Sequence, residues 1–168
     1  MGGEVVPQRE LEKYYQTYYR ELYLYAYSLS QHKQMAEDLV SETFYRALYG
    51  KQKYQEQYKY WLFRICKNLY IDEYRKKKRY QSKVPLLGQV VQGDNLDQFI
   101  EKERYQNLYR CVLALRSPHK EMIILHYFCD YQLNEVADYL EIPYSTVKVS
   151  LFRARQKLRK ELEPYEKF

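Results

Sequence analysis

Apolar residues recur along this chain at three- and four-residue steps, and no strand-like alternation of any length interrupts them. A chain that carries only the helical period has to bury helical stripes against one another, so the pattern predicts an all-α protein. Leu11, Tyr15, Tyr18, Leu22, Tyr25, Ala26 and Leu29 form the first stripe. A second helix is predicted from about Met35 to Tyr49, with Leu39, Val40, Thr43, Phe44, Ala47 and Leu48 inward and Gly50 as its stop. The polar stretch Lys51 to Gln57 reads as a loop. A third helix, from about Tyr58 to Arg79, is expected to bury Trp61, Leu62, Ile65 and Leu69.

Between Gln81 and Gln98 the period fails, and Pro85, Gly88 and Gly93-Asp94-Asn95 punctuate the stretch. A linker is expected there. A length of 168 residues then divides into two small helical domains. The helical pattern resumes from about Leu96 to Leu115, and Ser117-Pro118 supplies a capping residue and a first-turn proline for the next helix. Leu133, Val136, Ala137 and Leu140 make a short helix, Glu141-Ile142-Pro143 a turn, and Ser145 a cap for the final helix.

Charge narrows the partner. Lys and Arg number 28 against 22 Asp and Glu, a formal charge of +6, and the excess is clustered. Arg75-Lys76-Lys77-Lys78-Arg79 is an unbroken run, and Tyr144 to Lys160 carries six basic residues and no acidic one. Two such clusters on predicted helices favour a nucleic acid over a merely solvated face. Cys66, Cys111 and Cys129 are an odd number in mostly apolar surroundings, which fits reduced thiols in the cytosol. Met1 to Arg9 has no apolar run of the kind a secretory signal needs, and no stretch reaches the roughly 18 apolar residues of a membrane span. A cytoplasmic protein is expected.

The segment Gln132 to Lys160 has the organisation of a helix-turn-helix. Ala137 is small where two helices cross, Ile142 helps close the space between them, and Val147, Leu151, Ala154 and Leu158 form the inner stripe of the second helix. Ser145, Thr146, Lys148, Val149, Ser150, Arg153 and Arg155 are then left for base edges and phosphates. The competing reading is an ordinary helical hairpin with a basic exposed face. Glu141 is the weak point of the motif, because a glycine would ease the turn.

Residues Glu135 to Lys148, EVADYLEIPYSTVK, followed by LFRARQKL at Leu151 to Leu158, resemble the C-terminal promoter-binding domain of extracytoplasmic-function sigma factors. Response regulators share a looser version of this motif. Two N-terminal segments separate the two families: AEDLVSETFYRA at Ala36 to Ala47 is similar to the polymerase-binding helix of these sigma factors, and WLFRICKNLYIDEYR at Trp61 to Arg75 to their helix for the downstream (−10) promoter element.

The resemblance implies that residues 8–80 form sigma domain two, 81–100 a linker and 101–163 sigma domain four. It implies docking of Asp38 and Glu42 on the β′ subunit of core RNA polymerase, with β as a further contact, and reading of the upstream (−35) element by the last helix. Asp38 and Glu42, four residues apart, share one helix face, and an acidic face suits a basic partner better than DNA. Charge that caps the helix is the alternative. Arg64, Asn68, Asp72 and Arg75 lie on the face away from Ile65 and Leu69, which by resemblance meets the downstream element. The resemblance further implies that the loop Lys51 to Gln57 receives a base flipped out of the opened strand, for which Tyr54 or Tyr58 can supply a stacking face. Tyr60 and Tyr74 also lie beside this helix; the remainder of the 22 tyrosines are expected to be core or surface filler.

In and just after the linker, Asp94, Asp97, Glu101 and Glu103 outnumber Lys83 and Lys102, which fits either a channel-threading segment or a plain tether. The family usually has Ser and Arg after the position of Lys148, where this chain has Val149 and Ser150, so a shifted upstream-element preference is implied. An anti-sigma factor is a further partner implied by the resemblance. An enzyme is the first rival reading, but no glycine loop or nucleophile motif is present, and His126 with Cys129 is the only pair of possible metal ligands at a suitable spacing. Neither catalytic residues, metal, cofactor nor small-molecule substrate is therefore expected. A stand-alone helix-turn-helix regulator is the second rival; it leaves the Asp38/Glu42 face and the Trp61 helix without a role.

Overall fold

A computed structural model describes residues 7–50, 57–81 and 95–166, and among them every regular element is helical. The chain divides into two compact units, the first ending at Asp94 and the second opening at Asn95.

Three helices build the first unit: α1 (Gln8–Ser30), α2 (Lys33–Tyr49) and α3 (Tyr58–Gln81), each packed on the other two. α1 is buried continuously from Leu22 to Ser28. Tyr23, Tyr25 and Tyr27 lie in that stretch, so the core is tyrosine-rich where leucine would be usual. α1 ends at Gln31, which takes a left-handed φ of 50° and returns its N–H to the Tyr27 carbonyl at 2.7 Å. The next residue, His32, caps α2 by accepting the Met35 N–H on Nδ1 at 3.3 Å.

α3 buries Leu62 and Leu69 as its sequence suggested, but its inward face is rotated away from Trp61 and Ile65. Tyr58, Leu62, Phe63, Cys66 and Leu69 are buried, whereas Trp61 and Ile65 are only half-buried. Trp61 instead covers the end of α2, where a Cβ built on Gly50 would fall 2.4 Å from its ring. Gly50 has an ordinary extended backbone, φ −80° and ψ 153°, so its role is to admit that ring and not to make a left-handed cap. Lys59 ties α3 to α1 through an ion pair with Glu21 at 2.9 Å, its ammonium lying between the rings of Tyr18 and Phe63.

In the second unit a short 3-10 turn, Leu96–Gln98, precedes α4 (Glu103–Leu113). Leu96 and Ile100 are buried, and Gln106 Nε2 donates to the Ile100 carbonyl at 2.7 Å. The expected linker 81–100 is therefore too long at its C-terminal end, because two of its apolar residues anchor this unit. α5 (His119–Ile123) runs into a π-helical turn, Ile124–Phe128, and α6 (Leu133–Leu140) and α7 (Tyr144–Glu166) follow. Pro118, not Ser117, stands at the N-cap of α5, with no side-chain cap bond. α4, α5 and α6 all pack on α7. Their core is Val112, Met122, Ile123, Leu125, Val136, Val147 and Leu151. Each such side chain is worth about 1.5–3 kcal/mol when fully buried, so the α7 stripe is the unit's main fastening.

Candidate nucleic-acid interface

The last helix is oriented by what it buries. Val147, Leu151, Ala154 and Leu158 are at most 5% exposed. Ser145, Thr146, Lys148, Val149, Arg153 and Arg155 are consequently turned to solvent, and Ser150 lies half-buried at the edge of the stripe. α7 begins two residues earlier than its sequence suggested, at Tyr144, so Ser145 sits within the first turn and is not the cap. Glu141 ends α6 at a left-handed φ of 56°, and the Ile142 N–H reaches the Ala137 carbonyl at 3.0 Å. This is the backbone that glycine tolerates best.

Three exposed aromatic residues escaped the sequence reading. Tyr144 lies beneath the Lys148 ammonium, 5.3 Å from ring centre to Nζ, and Phe152 is 55% exposed on the same helix. Tyr127 accepts a hydrogen bond from Arg155 Nη1 at 2.9 Å. It stands in an apolar run, Met122 to Cys129, and nothing in that run marks it as the exposed member. His126 Nδ1, half of the pair at ligand-like spacing, is 2.7 Å from the Tyr131 carbonyl.

On α3, Asn68, Asp72 and Arg75 are exposed and Arg64 is half-buried, so the four make one continuous row that runs into the basic cluster. Arg64 Nη2 donates to Tyr60 Oη at 2.8 Å, and its guanidinium lies 5.3 Å from the centre of the same ring. Tyr74, further along α3, is 53% exposed, its ring 6.1 Å from that of Tyr70. Tyr54 lies outside the described residues. Tyr58 requires a correction: it is 1% exposed and stacked on Tyr14 at 3.9 Å, so it has no face to offer a base. Its hydroxyl finds no hydrogen-bond partner among the described residues, and burial pushes its pKa up to about 12.

Asp38 and Glu42 are exposed on α2, along an open groove of roughly 880 Å³ that α3 completes with Leu69, Glu73 and Lys77. Gln34 donates to Asp38 at 3.0 Å, and Arg46 pairs with Glu42 at 3.1 Å. Because α2 starts at Lys33, neither Glu37 nor Asp38 lies in its first turn. The alternative of helix-capping charge falls, since that effect fades beyond the first turn.

Two family descriptions match the chain, Sigma-70 region 2 over residues 14–80 and Sigma-70 region 4 over residues 105–158. The extracytoplasmic-function (ECF) sigma factor SigM of Bacillus subtilis is 30% identical over 151 residues, spanning 89% of this chain and 93% of that protein. SigW of the same organism is 31% identical over 158 residues, covering 86% and 84%. Among solved structures, the sigma factor RpoE of Bartonella quintana, in complex with the anti-sigma factor NepR, has a TM-score of 0.69 at 23% identity, covering 92% of this chain and 98% of that one. CnrH, in complex with the cytosolic domain of CnrY, has a TM-score of 0.66 at 20% identity, covering 95% and 91%. The fold and the matched regions thus define a transcription initiation factor of the sigma-70 class. Within that class, the chain belongs to the family of extracytoplasmic-function RNA polymerase sigma factors. It binds core RNA polymerase and directs promoter-specific initiation of transcription.

Proposed function

We propose that three helix faces divide this work. The acidic α2 face, Asp38 and Glu42, docks on the β′ subunit of the polymerase. The α3 row of Arg64, Asn68, Asp72 and Arg75 meets the downstream element, with Asn68 suited to a base edge and Arg75 and the lysines after it to phosphate. Tyr60 or Tyr74 takes the stacking role that buried Tyr58 cannot fill, and Tyr54 is the further candidate. The outward residues of α7 read the upstream element. By the same reading, residues 8–80 act as domain two, and the second unit, from Asn95 to about 163, as domain four.

The observation that carries this reading is that the first unit presents both signs of charge on different helices, with Lys77 alone of the cationic run lining the acidic groove. An acidic pair, exposed and outside the first helical turn, stands on α2, while the unbroken cationic run stands on α3. A DNA-only regulator has no use for the acidic pair, whereas a factor that binds both a protein and DNA needs both signs. On this account the polymerase supplies the chemistry and the chain none, acting in the cytoplasm. A similar solved structure is a sigma factor in complex with an anti-sigma factor, and the same class of partner fits here. Reversing charge in Asp38→Lys with Glu42→Lys should abolish capture of core polymerase and leave the helical circular dichroism intact, because both side chains are exposed. Undiminished capture by a folded double variant would overturn the docking assignment.

A further inference from the structure

Tyr127 has no part in the account above, yet its surroundings are built. Its chain neighbours Leu125, Phe128 and Cys129 are buried while it is 47% exposed. It stands in the π-helical turn, where the Cys129 N–H reaches back to the Ile124 carbonyl at 3.0 Å. Turns of this kind are uncommon and recur at functional sites. On one side, His126 Nδ1 lies 2.7 Å from the Tyr131 carbonyl. A carbonyl only accepts, so that nitrogen carries the proton and the imidazole is fixed. The imidazole meets the Tyr127 ring edge-on, with centroids 4.7 Å apart at 70°. On the other side, Tyr127 Oη accepts from Arg155, which is 28 positions further along the chain on α7.

We propose that Tyr127 is a positioning residue for DNA binding: it holds the Arg155 guanidinium against the flank of α7, aimed at one backbone phosphate. One of the five guanidinium N–H groups is spent on Tyr127, which leaves the others for phosphate oxygens. An exposed arginine loses rotamer freedom when it binds; one already tethered loses less, and affinity gains the difference. The proposal rests on the reading of α7 as the upstream-element helix, and the test separates the two.

The measurement is equilibrium binding of promoter duplex by core polymerase loaded with the full chain, over a salt series, for wild type, Tyr127→Phe, Arg155→Ala and the double variant. Tyr127→Phe keeps the ring and the packing, so it tests the hydroxyl alone. It should weaken binding roughly two- to tenfold, the span expected for one immobilised side chain. Arg155→Ala should lower the salt slope by about one, the signature of a lost phosphate contact. In the Arg155→Ala background, Tyr127→Phe should have no further effect. Equal weakening by Tyr127→Phe in both backgrounds would overturn the positioning role, as would a silent Tyr127→Phe beside a harmful Arg155→Ala. If Arg155→Ala changes neither affinity nor slope, the assignment of Arg155 to phosphate fails first and the proposal falls with it.

Discussion

Tyrosine serves this chain in two environments, and burial decides which. Tyr23, Tyr25, Tyr27, Tyr58, Tyr109 and Tyr139 are among the largest fully buried side chains, whereas Tyr127, Tyr144 and Tyr74 stand exposed beside cationic groups. A buried phenol resists ionisation because the charged form would lose its hydration. Tyr58 is pushed by burial from 10.0 up to about 12. The Cys66 thiol is pushed by burial from 9.0 to about 12, with a hydrogen bond to Thr43 opposing the shift. Both groups have folded-state values above their unfolded ones. The folded chain therefore keeps protons that the unfolded chain releases, and this contribution is whole below about pH 9 and declines as pH rises through about 12. The urea midpoint of the chain should fall between pH 9 and pH 11, and fall less steeply in a Tyr58→Phe, Cys66→Ala variant. The same slope in both would show that these two groups do not titrate as their burial requires.

Among the elements, the helix-turn-helix was the most legible in the sequence and α3 the least. On α7 the apolar residues Val147, Leu151, Ala154 and Leu158 are separated by polar ones, so the period leaves one choice of inner face, and those four are the buried ones. On α3 the apolar residues Trp61, Leu62, Phe63, Ile65, Cys66 and Leu69 cover most of the circumference, and the period cannot choose between adjacent faces. The inner face shifted accordingly, to Leu62, Cys66 and Leu69, and Tyr58 went inside with it. Helix starts were read poorly for another reason: serine is a frequent cap, but Pro118 and Pro143 occupy the places expected of Ser117 and Ser145. Tyr127 was not legible because its exposure follows from a π turn, which leaves no periodic trace. Glu141 was read correctly as a misfit, and its φ of 56° shows why. A side chain in that region is strained by about 1 kcal/mol, which glycine avoids. Glu141→Gly should therefore raise the thermal midpoint of the chain, by the equivalent of about 0.5–1 kcal/mol. A lowered midpoint would mean that the Glu141 side chain makes a stabilising contact that outweighs the strain.

At the scale of the molecule, a formal charge of +6 is carried by a chain that also exposes Asp38 and Glu42. A long cationic run gives affinity for any duplex, and that affinity weakens steeply with salt. Choice among promoters has to come from side chains that reach base edges. Val149 cannot hydrogen-bond a base, but at 50% exposure it can pack on a thymine methyl group, which leaves Arg153 as the candidate for a two-pronged contact to guanine. Selection from a randomised promoter library, by core polymerase reconstituted with this chain, tests that division most directly. The wild-type chain should enrich an upstream and a downstream block that core polymerase alone does not. Arg153→Ala should relax a single upstream base at a cost of about 1–3 kcal/mol, while Arg159→Ala should weaken all sequences alike and flatten the salt dependence. A uniform loss across sequences in Arg153→Ala, or no enrichment by the wild-type chain, would contradict the account.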